Sequence, residues 1–390
     1  MYRVGKSISE SAAGRFVGTA YRLRGAAVVA AHRRPTLACE PITKASASFK
    51  AQQDALLGLA AKFEPRIRRQ FIKAVNAIQD EASLKALTDA LATGRWEFVL
   101  AATGLDKFEV ELGGMVDAIN ENWQAAGALT AQQTAAGVSG MALGVRFDPM
   151  NRRATDYARQ YAYDLITNIS RQTRDAIKEI VTEQTVTGLN PRTTARQIKQ
   201  VIGLTGPQAK ALKNYRAALE SGKWGQAAAY SIGGNAERSI AAASKLGEMS
   251  GDRIEALVES YRQRLLRMRS VTIARTESMR AASNGAAEAW KQTMEGSNLP
   301  PSVFRRYWVA TNDDRTRDSH LEMPLLNQKG VGMNEPFRLP GGGTIMHPHD
   351  PDAPASETIN CRCCVVVRIE ELDPSIPTFG TAAGRSILPK

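Results

Sequence analysis

Cysteine and histidine are both scarce in this chain, four of each among 390 residues, and aromatic residues make up only 6%. Three of the cysteines, Cys361, Cys363 and Cys364, are nearly adjacent, and neighbours that close make a poor disulfide framework. A disulfide-stapled scaffold is therefore excluded, and a reducing compartment is the better reading. Long apolar runs are also missing. Met1 to Pro35 holds basic residues and an apolar patch at Gly25 to Ala31, too short for a signal core and too interrupted for a membrane span. No later window approaches roughly 18 uncharged apolar residues, so a soluble, cytosolically made chain without a membrane partner is expected. Several catalytic signatures are absent as well: no serine in a nucleophile elbow, no phosphate-binding glycine loop, no dinucleotide fingerprint and no His-Glu-x-x-His helix.

Acidic residues are outnumbered, 39 against 51 Lys and Arg, for a formal charge of +12. The excess is uneven. Residues 1–50 carry nine Lys/Arg against Glu10 and Glu40, a net of +7, while residues 303–390 come out at −1. A positive arm suits an acidic partner, and DNA phosphates are the obvious polyanion, with Arg15, Arg22, Arg24, Arg33 and Arg34 as contact candidates. Ordinary solubility charge is the plain alternative. With only Tyr2, Phe16 and Tyr21 for aromatics, the arm offers no base-stacking platform, so any contact would be electrostatic rather than sequence-reading.

What is present is helical periodicity. Hydrophobic content of 43% and charged content of 23% are globular values, and the length suits two or three domains. A short helix is expected from Ser9 to Ala31. Leu56, Leu59, Ala60, Phe63, Ile67, Phe71, Val75 and Ile78 recur at three- and four-residue steps, a helical stripe that Pro65 should divide or kink. Further helices are expected at Phe108–Trp123, Thr130–Met141, Arg152–Glu183 (with Tyr157, Tyr161, Leu165, Ile169, Ile177 and Ile180 on one face), Ala195–Val201, Ile254–Arg267 and Ser270–Thr293. Leu204-Thr-Gly-Pro207 reads as a helix cap with an early proline. Gly222, Gly225, Gly233 and Gly234 read as a loosened stretch.

Beyond Gly296-Ser-Asn-Leu-Pro-Pro301 the period becomes two: Phe304, Arg306, Trp308 and Ala310 on one side, Arg305, Tyr307 and Val309 on the other. A second strand is expected at Cys363–Ile369. The long glycine-bearing connection between them should be functional or held by a cross-link. The fold class expected is mainly α: long helices in an N-terminal body, with a small C-terminal α+β domain stapled by a metal. The divisions are a basic arm at 1–50, a helical body at 51–268, a C-terminal domain at 269–372 and a tail at 373–390.

The scarce residues converge there. Three of the four histidines and three of the four cysteines lie within residues 311–364. Cys361 and Cys363, two apart at a strand entrance, project the same way, with Cys364 opposite. His347 and His349 repeat that spacing, and His320 is a further candidate. Sulfur and imidazole ligands of this kind suit a tetrahedral zinc that would contribute folding free energy to a domain with little apolar area. Buried free thiols with hydrogen-bonded histidines are the alternative. Asp313, Asp314, Arg315, Arg317 and His320 read either as a polar catalytic cluster or as a salt-bridged turn in which Arg315 grips a carboxylate with two prongs. Thr272, Thr276, Glu277 and Arg280 should clasp the preceding helix to that turn.

These residues, in this order, resemble the phage Mu protein F-like family of head morphogenesis or minor capsid proteins. The resemblance rests on Ala274-Arg275-Thr276-Glu277, then Trp308, Thr311, Asp313, Arg315, Arg317 and His320, then Phe337 and Pro340, then Asn360-Cys-Arg-Cys363. It covers roughly residues 270–370. The chain departs from the family in placing His347 and His349 well upstream of Cys361 and in having Arg317 where cysteine is usual. The resemblance raises the structural-zinc reading. It implies a virion component inside the head near the portal vertex, passing through the host cytoplasm during assembly. The partners implied are the portal protein, other head proteins, further copies of itself and packaged double-stranded DNA. It also implies roles in capsid assembly and DNA packaging or ejection, and a chain that is not itself an enzyme. The alternative is a metal-dependent nuclease or transferase centred on Asp313, Arg315 and His320.

Overall fold

The computed structural model describes residues 44–137, 147–188, 190–230, 234–297 and 299–370. The expected arm helix, its arginine candidates and the tail lie outside the described residues.

Helix α1 spans Lys44–Glu81 and is followed by α2 (Leu84–Ala92), α3 (Trp96–Thr103), α4 (Phe108–Glu111) and α5 (Gly113–Gly137). Then come α6 (Arg152–Thr187), α7 (Pro191–Val201), α8 (Gly206–Glu220), α9 (Trp224–Tyr230), α10 (Gly234–Leu246) and α11 (Gly251–Gly296). Pro65 neither divides nor ends α1. The stripe around it, Ile67, Phe71, Val75 and Ile78, is fully buried, and that packing outweighs the one backbone hydrogen bond a proline forgoes. The helices expected at Phe108–Trp123 and Thr130–Met141 are redrawn as α4 and an unbroken α5 to Gly137. Thr205 caps α8 reciprocally with Gln208, as the Thr-Gly-Pro signal implies. The glycine-rich stretch after Gly222 is not merely loose, since it carries α9 and α10.

Ile254–Arg267 and Ser270–Thr293 are one helix. At 46 residues, α11 is about 69 Å long and serves both the body and the C-terminal region. It packs against α1 and α5. The approach to α5 is closest at Gly285, where a Cβ would sit 2.1 Å from the Trp123 carbonyl oxygen. Mid-helix glycine normally weakens a helix, and here it is what lets the two backbones meet. Asn122 Nδ2 donates to the Ser278 carbonyl at 2.7 Å just beside that crossing.

The C-terminal region is small and mixed. β1 (Phe304–Val309) pairs antiparallel with β4 (Cys364–Ile369), Phe304 opposite Ile369 and Val309 opposite Cys364. The alternation expected for β1 is present, with Phe304, Arg306 and Trp308 turned inward. Between them lie α12 (Asp318–Leu326), the two-residue strands β2 (Phe337–Arg338) and β3 (Thr344–Ile345), and α13 (Ala355–Thr358). The cross-link that holds this long connection is Arg306. Its buried guanidinium donates to the carbonyls of Gly332 at 3.0 Å, Met346 at 2.8 Å and Glu335. The whole is a mainly helical N-terminal region followed by a small α+β region, as the periodicities imply. Among the described residues no helix is long and apolar enough to cross a membrane.

Candidate metal centre

Two chain segments meet at one point: the turn after β1 leads into α12 and delivers His320, and the entrance to β4 delivers Cys361 and Cys363. The loop after β3 brings His349 near Cys361 but outside that group. Cys361 Sγ and Cys363 Sγ each lie 3.5 Å from His320 Nδ1, and the three donor atoms lie within 4.8 Å of one another. Trp308 and Phe337 wall the cluster, with the Trp308 ring edge-on to His320 at 5.1 Å. Cys364, on the other face of the strand, joins Leu56, Met279 and Ala282 in a separate apolar cluster.

The other ring nitrogen of His320 faces Glu357, whose Oε2 lies 3.0 Å from Nε2, although off the line of a full hydrogen bond. A carboxylate behind an imidazole holds the proton on Nε2 and leaves the Nδ1 lone pair facing the thiols, able to accept from them or to bind a metal. Of the two thiols, Cys361 is driven toward thiolate, first by a hydrogen bond from Cys363 and then by His320. That same bond pushes the Cys363 thiol up.

His349 is fully buried, and neither of its ring nitrogens makes a well-aligned hydrogen bond, although the Thr358 backbone lies against the ring. Burial lowers its pKa to about 4, while the nearby Cys361 pulls the other way. A buried imidazole without hydrogen bonds is costly unless something else takes its lone pair. The backbone there is committed to this placement: His349 and Asn360, just before Cys361, both adopt left-handed conformations at φ 67° and 56°. Two sulfurs and the Nδ1 of His320 are three donors of a kind that suits zinc, with the His349 imidazole near Cys361 as a candidate fourth. His320, Cys361 and Cys363 thus form a cluster able to coordinate a metal.

The remaining candidates fall elsewhere. His347 stands outside the cluster, its Nδ1 against its neighbour's carbonyl, Pro348 O, at 2.8 Å, and burial lowers its pKa. The two-pronged grip on Asp313 comes from Arg362, at 2.5 and 2.6 Å, rather than from Arg315, whose side chain is largely exposed. The Arg362 bond holds the Asp313 carboxyl far below the usual carboxylate range. Arg317 donates to the Ile359 carbonyl at 2.5 Å. Arg275 lies outside the cluster, against Glu64 of α1.

The clasp from α11 is real in form but differs in destination. Thr276 Oγ1 accepts from Asn360 N–H at 3.1 Å, and Arg280 Nε donates to the His349 carbonyl at 3.0 Å. Both therefore hold the ligand-bearing loops and not the Asp313–His320 turn. Glu277, beside them, is buried with its carboxyl pushed up by desolvation and opposed by Arg280. Arg362, Glu357 and Arg306 were missed at the sequence level. Arg362 had one available signal, its place between the two cysteines.

Residues 238–366 match the family described as Phage Mu protein F like protein. The match takes in α11 and every residue of the cluster. Over 123 residues the chain is 31% identical to the NAD(+)–arginine ADP-ribosyltransferase EFV of Enterococcus faecalis, a stretch covering 30% of this chain and 21% of that protein's length. No solved structure matches the chain. These findings correct the expectation of a chain without enzymatic activity. A cluster able to hold a metal and a likeness to a transferase both point to catalytic capacity. What they support is a phage-associated role or a catalytic role centred on the metal and the Asp, Arg and His residues. Residues 238–366 are thus similar to the phage Mu protein F-like family, a partial match consistent with a phage-morphogenesis-related protein.

Proposed function

We propose that the chain acts in phage head assembly as a minor capsid protein at the portal vertex, inside the head, with its C-terminal region fastened by one zinc ion. The observation that carries this reading is the coincidence of the family match with the metal cluster and with α11, the helix that joins both regions. Long helices suit such a role, because they lay extended surfaces against larger neighbours such as the portal and further copies of the chain. The arm's arginines would add sequence-independent attraction to packaged DNA and serve its ejection. The domain division given above belongs to the same proposal. Density for this chain in an intact particle, in contact with the portal, is the expected result. A particle in which the chain lies away from that vertex would overturn it.

A second reading is favoured by the transferase likeness: a metal-dependent transferase or nuclease using Asp313, Arg315 and His320. The two readings differ at His349. If its imidazole completes four protein donors, the site is closed. If only His320, Cys361 and Cys363 bind, one position stays open for water or substrate. Label transfer from NAD(+) to an arginine-bearing acceptor, or metal-dependent cleavage of DNA, would establish the second reading if Asp313→Asn and His320→Ala abolish it. Absence of both activities in metal-loaded protein would remove it.

A further inference from the structure

Helix α6 and helix α11 are clasped at two ends and stand apart between them. At one end Arg153 Nε and Nη2 donate to Glu288 at 3.0 and 2.9 Å. At the other, Arg269 Nη2 donates to Gln172 Oε1 at 2.8 Å. Between the clasps lies a cleft of about 620 Å³, closed at one side by the loop from Pro351 to Ile359. From Tyr157 to Gln172 its α6 wall runs about 22 Å.

Two rows of side chains line that wall. Gln160, Asp164, Asn168 and Gln172 recur every four residues and form a polar, solvent-facing rim. Tyr161, Leu165 and Ile169 recur at the same spacing as an apolar floor, continued across the cleft by Ile273. Three of these four side chains are amides, which both donate and accept as a main-chain peptide unit does, while Asp164 only accepts and already takes a bond from Gln160 at 3.0 Å. Such a row above an apolar floor suits an extended backbone.

Arg269 supplies the directionality. It is 5% exposed and lines the cleft, and among the described residues no carboxylate pairs with it. Its partners are neutral oxygens, Gly203 O at 2.6 Å and Gln172 Oε1, and the face of Phe71 at 5.4 Å. Unlike Arg306, whose neutral partners are all backbone carbonyls of the loops it fixes, Arg269 borders an open cleft, where an entering carboxylate would offset its buried charge. Of the two arginines lining the cleft, Arg280 is paired with Glu277, which leaves Arg269 for one carboxylate and not for a chain of phosphates. The aromatic end is also taken, since Tyr157 and Tyr161 stack on each other and Arg280 lies over Tyr161, which leaves little face for a base.

We propose that the cleft between α6 and α11 is a docking groove for an extended peptide segment of a partner protein, with an Asp, Glu or C-terminal carboxylate of that segment bound at Arg269. The groove does not depend on the portal assignment; the segment that closes its side lies between His349 and Cys361, so the protein is tested with zinc present. The test uses the full-length protein and an array of labelled heptapeptides, each with one Asp or Glu among apolar residues, against the same array with Asn or Gln.

The acidic peptides should bind about tenfold tighter or more than their amide counterparts. Thr272→Glu, which places a carboxylate one turn from Arg269, should weaken binding at least about tenfold and raise the melting temperature, while Thr272→Gln stays within about twofold. Ile273→Trp fills the floor without changing charge and should give the same loss, which guards against a misfolded Thr272→Glu variant. Equal binding of acidic and amide peptides would overturn the proposal. So would binding unchanged by both Thr272→Glu and Ile273→Trp. Adenosine monophosphate binding at this cleft more tightly than any peptide would replace it with a nucleotide site.

Discussion

The helical body and the C-terminal region keep their shape by different means. In the body a continuous apolar core runs through α1, α5, α6, α8 and α11, and its largest fully buried side chains include Phe71, Phe108 and Tyr215. In the C-terminal region the buried apolar clusters are small, and polar groups take over: Arg306 bridges three loop carbonyls, Arg362 grips Asp313, and thiols and imidazoles fill the centre. Where there is enough chain to bury, hydrophobic packing suffices. Where loops dominate, a few strong directional contacts must do the fixing.

Removing metal from the full chain should produce the largest effect and separate the two regions most sharply. Chelation, or Cys361→Ser with Cys363→Ser, is expected to abolish zinc binding and unfold the β1–β4 region while α-helical circular dichroism changes little. Phe71→Ala should do the reverse, costing about 3–5 kcal/mol in denaturant unfolding of the body and leaving metal content at its original value.

Acid should act next, through His349 in the folded protein. Its pKa is about 4 when folded against an ordinary value of 6.5, so the unfolded chain takes up the proton first. Stability is fully present above about pH 6.5 and declines as pH falls toward 4, by on the order of 3 kcal/mol at most. A flat profile over that window would remove the buried-imidazole account. Gly285→Val should cost about 1–3 kcal/mol, since the new side chain meets Trp123 backbone, and should loosen the α5–α11 crossing without disturbing the metal. Arg315→Ala should move the melting midpoint least, within about 0.5 kcal/mol, because the side chain is exposed and Arg362 already satisfies Asp313.

Much of the body was legible from periodicity alone. The stripe from Leu56 to Ile78 and the face from Tyr157 to Ile180 are both buried helix faces. Breaks were read less well. Pro65 and the stretch near Arg267–Ser270 look like boundaries locally, and tertiary packing carries both helices through them. Of the metal candidates, Cys361 and Cys363 do reach the same cluster, although both precede β4 and strand alternation does not place them. That His349 turns inward while His347 turns to Pro348 depends on a left-handed residue in a loop held by Arg280 and Asp350, which no spacing rule encodes. Arginine contacts to backbone carbonyls, those of Arg306 above all, leave no pattern in sequence.

X-ray absorption at the zinc edge of the purified full-length protein tests the central claim most directly. Two sulfur and two imidazole donors, falling to two sulfurs and one imidazole in His349→Ala, are the expected result. Absence of zinc, or a shell unchanged by that substitution, would contradict the account.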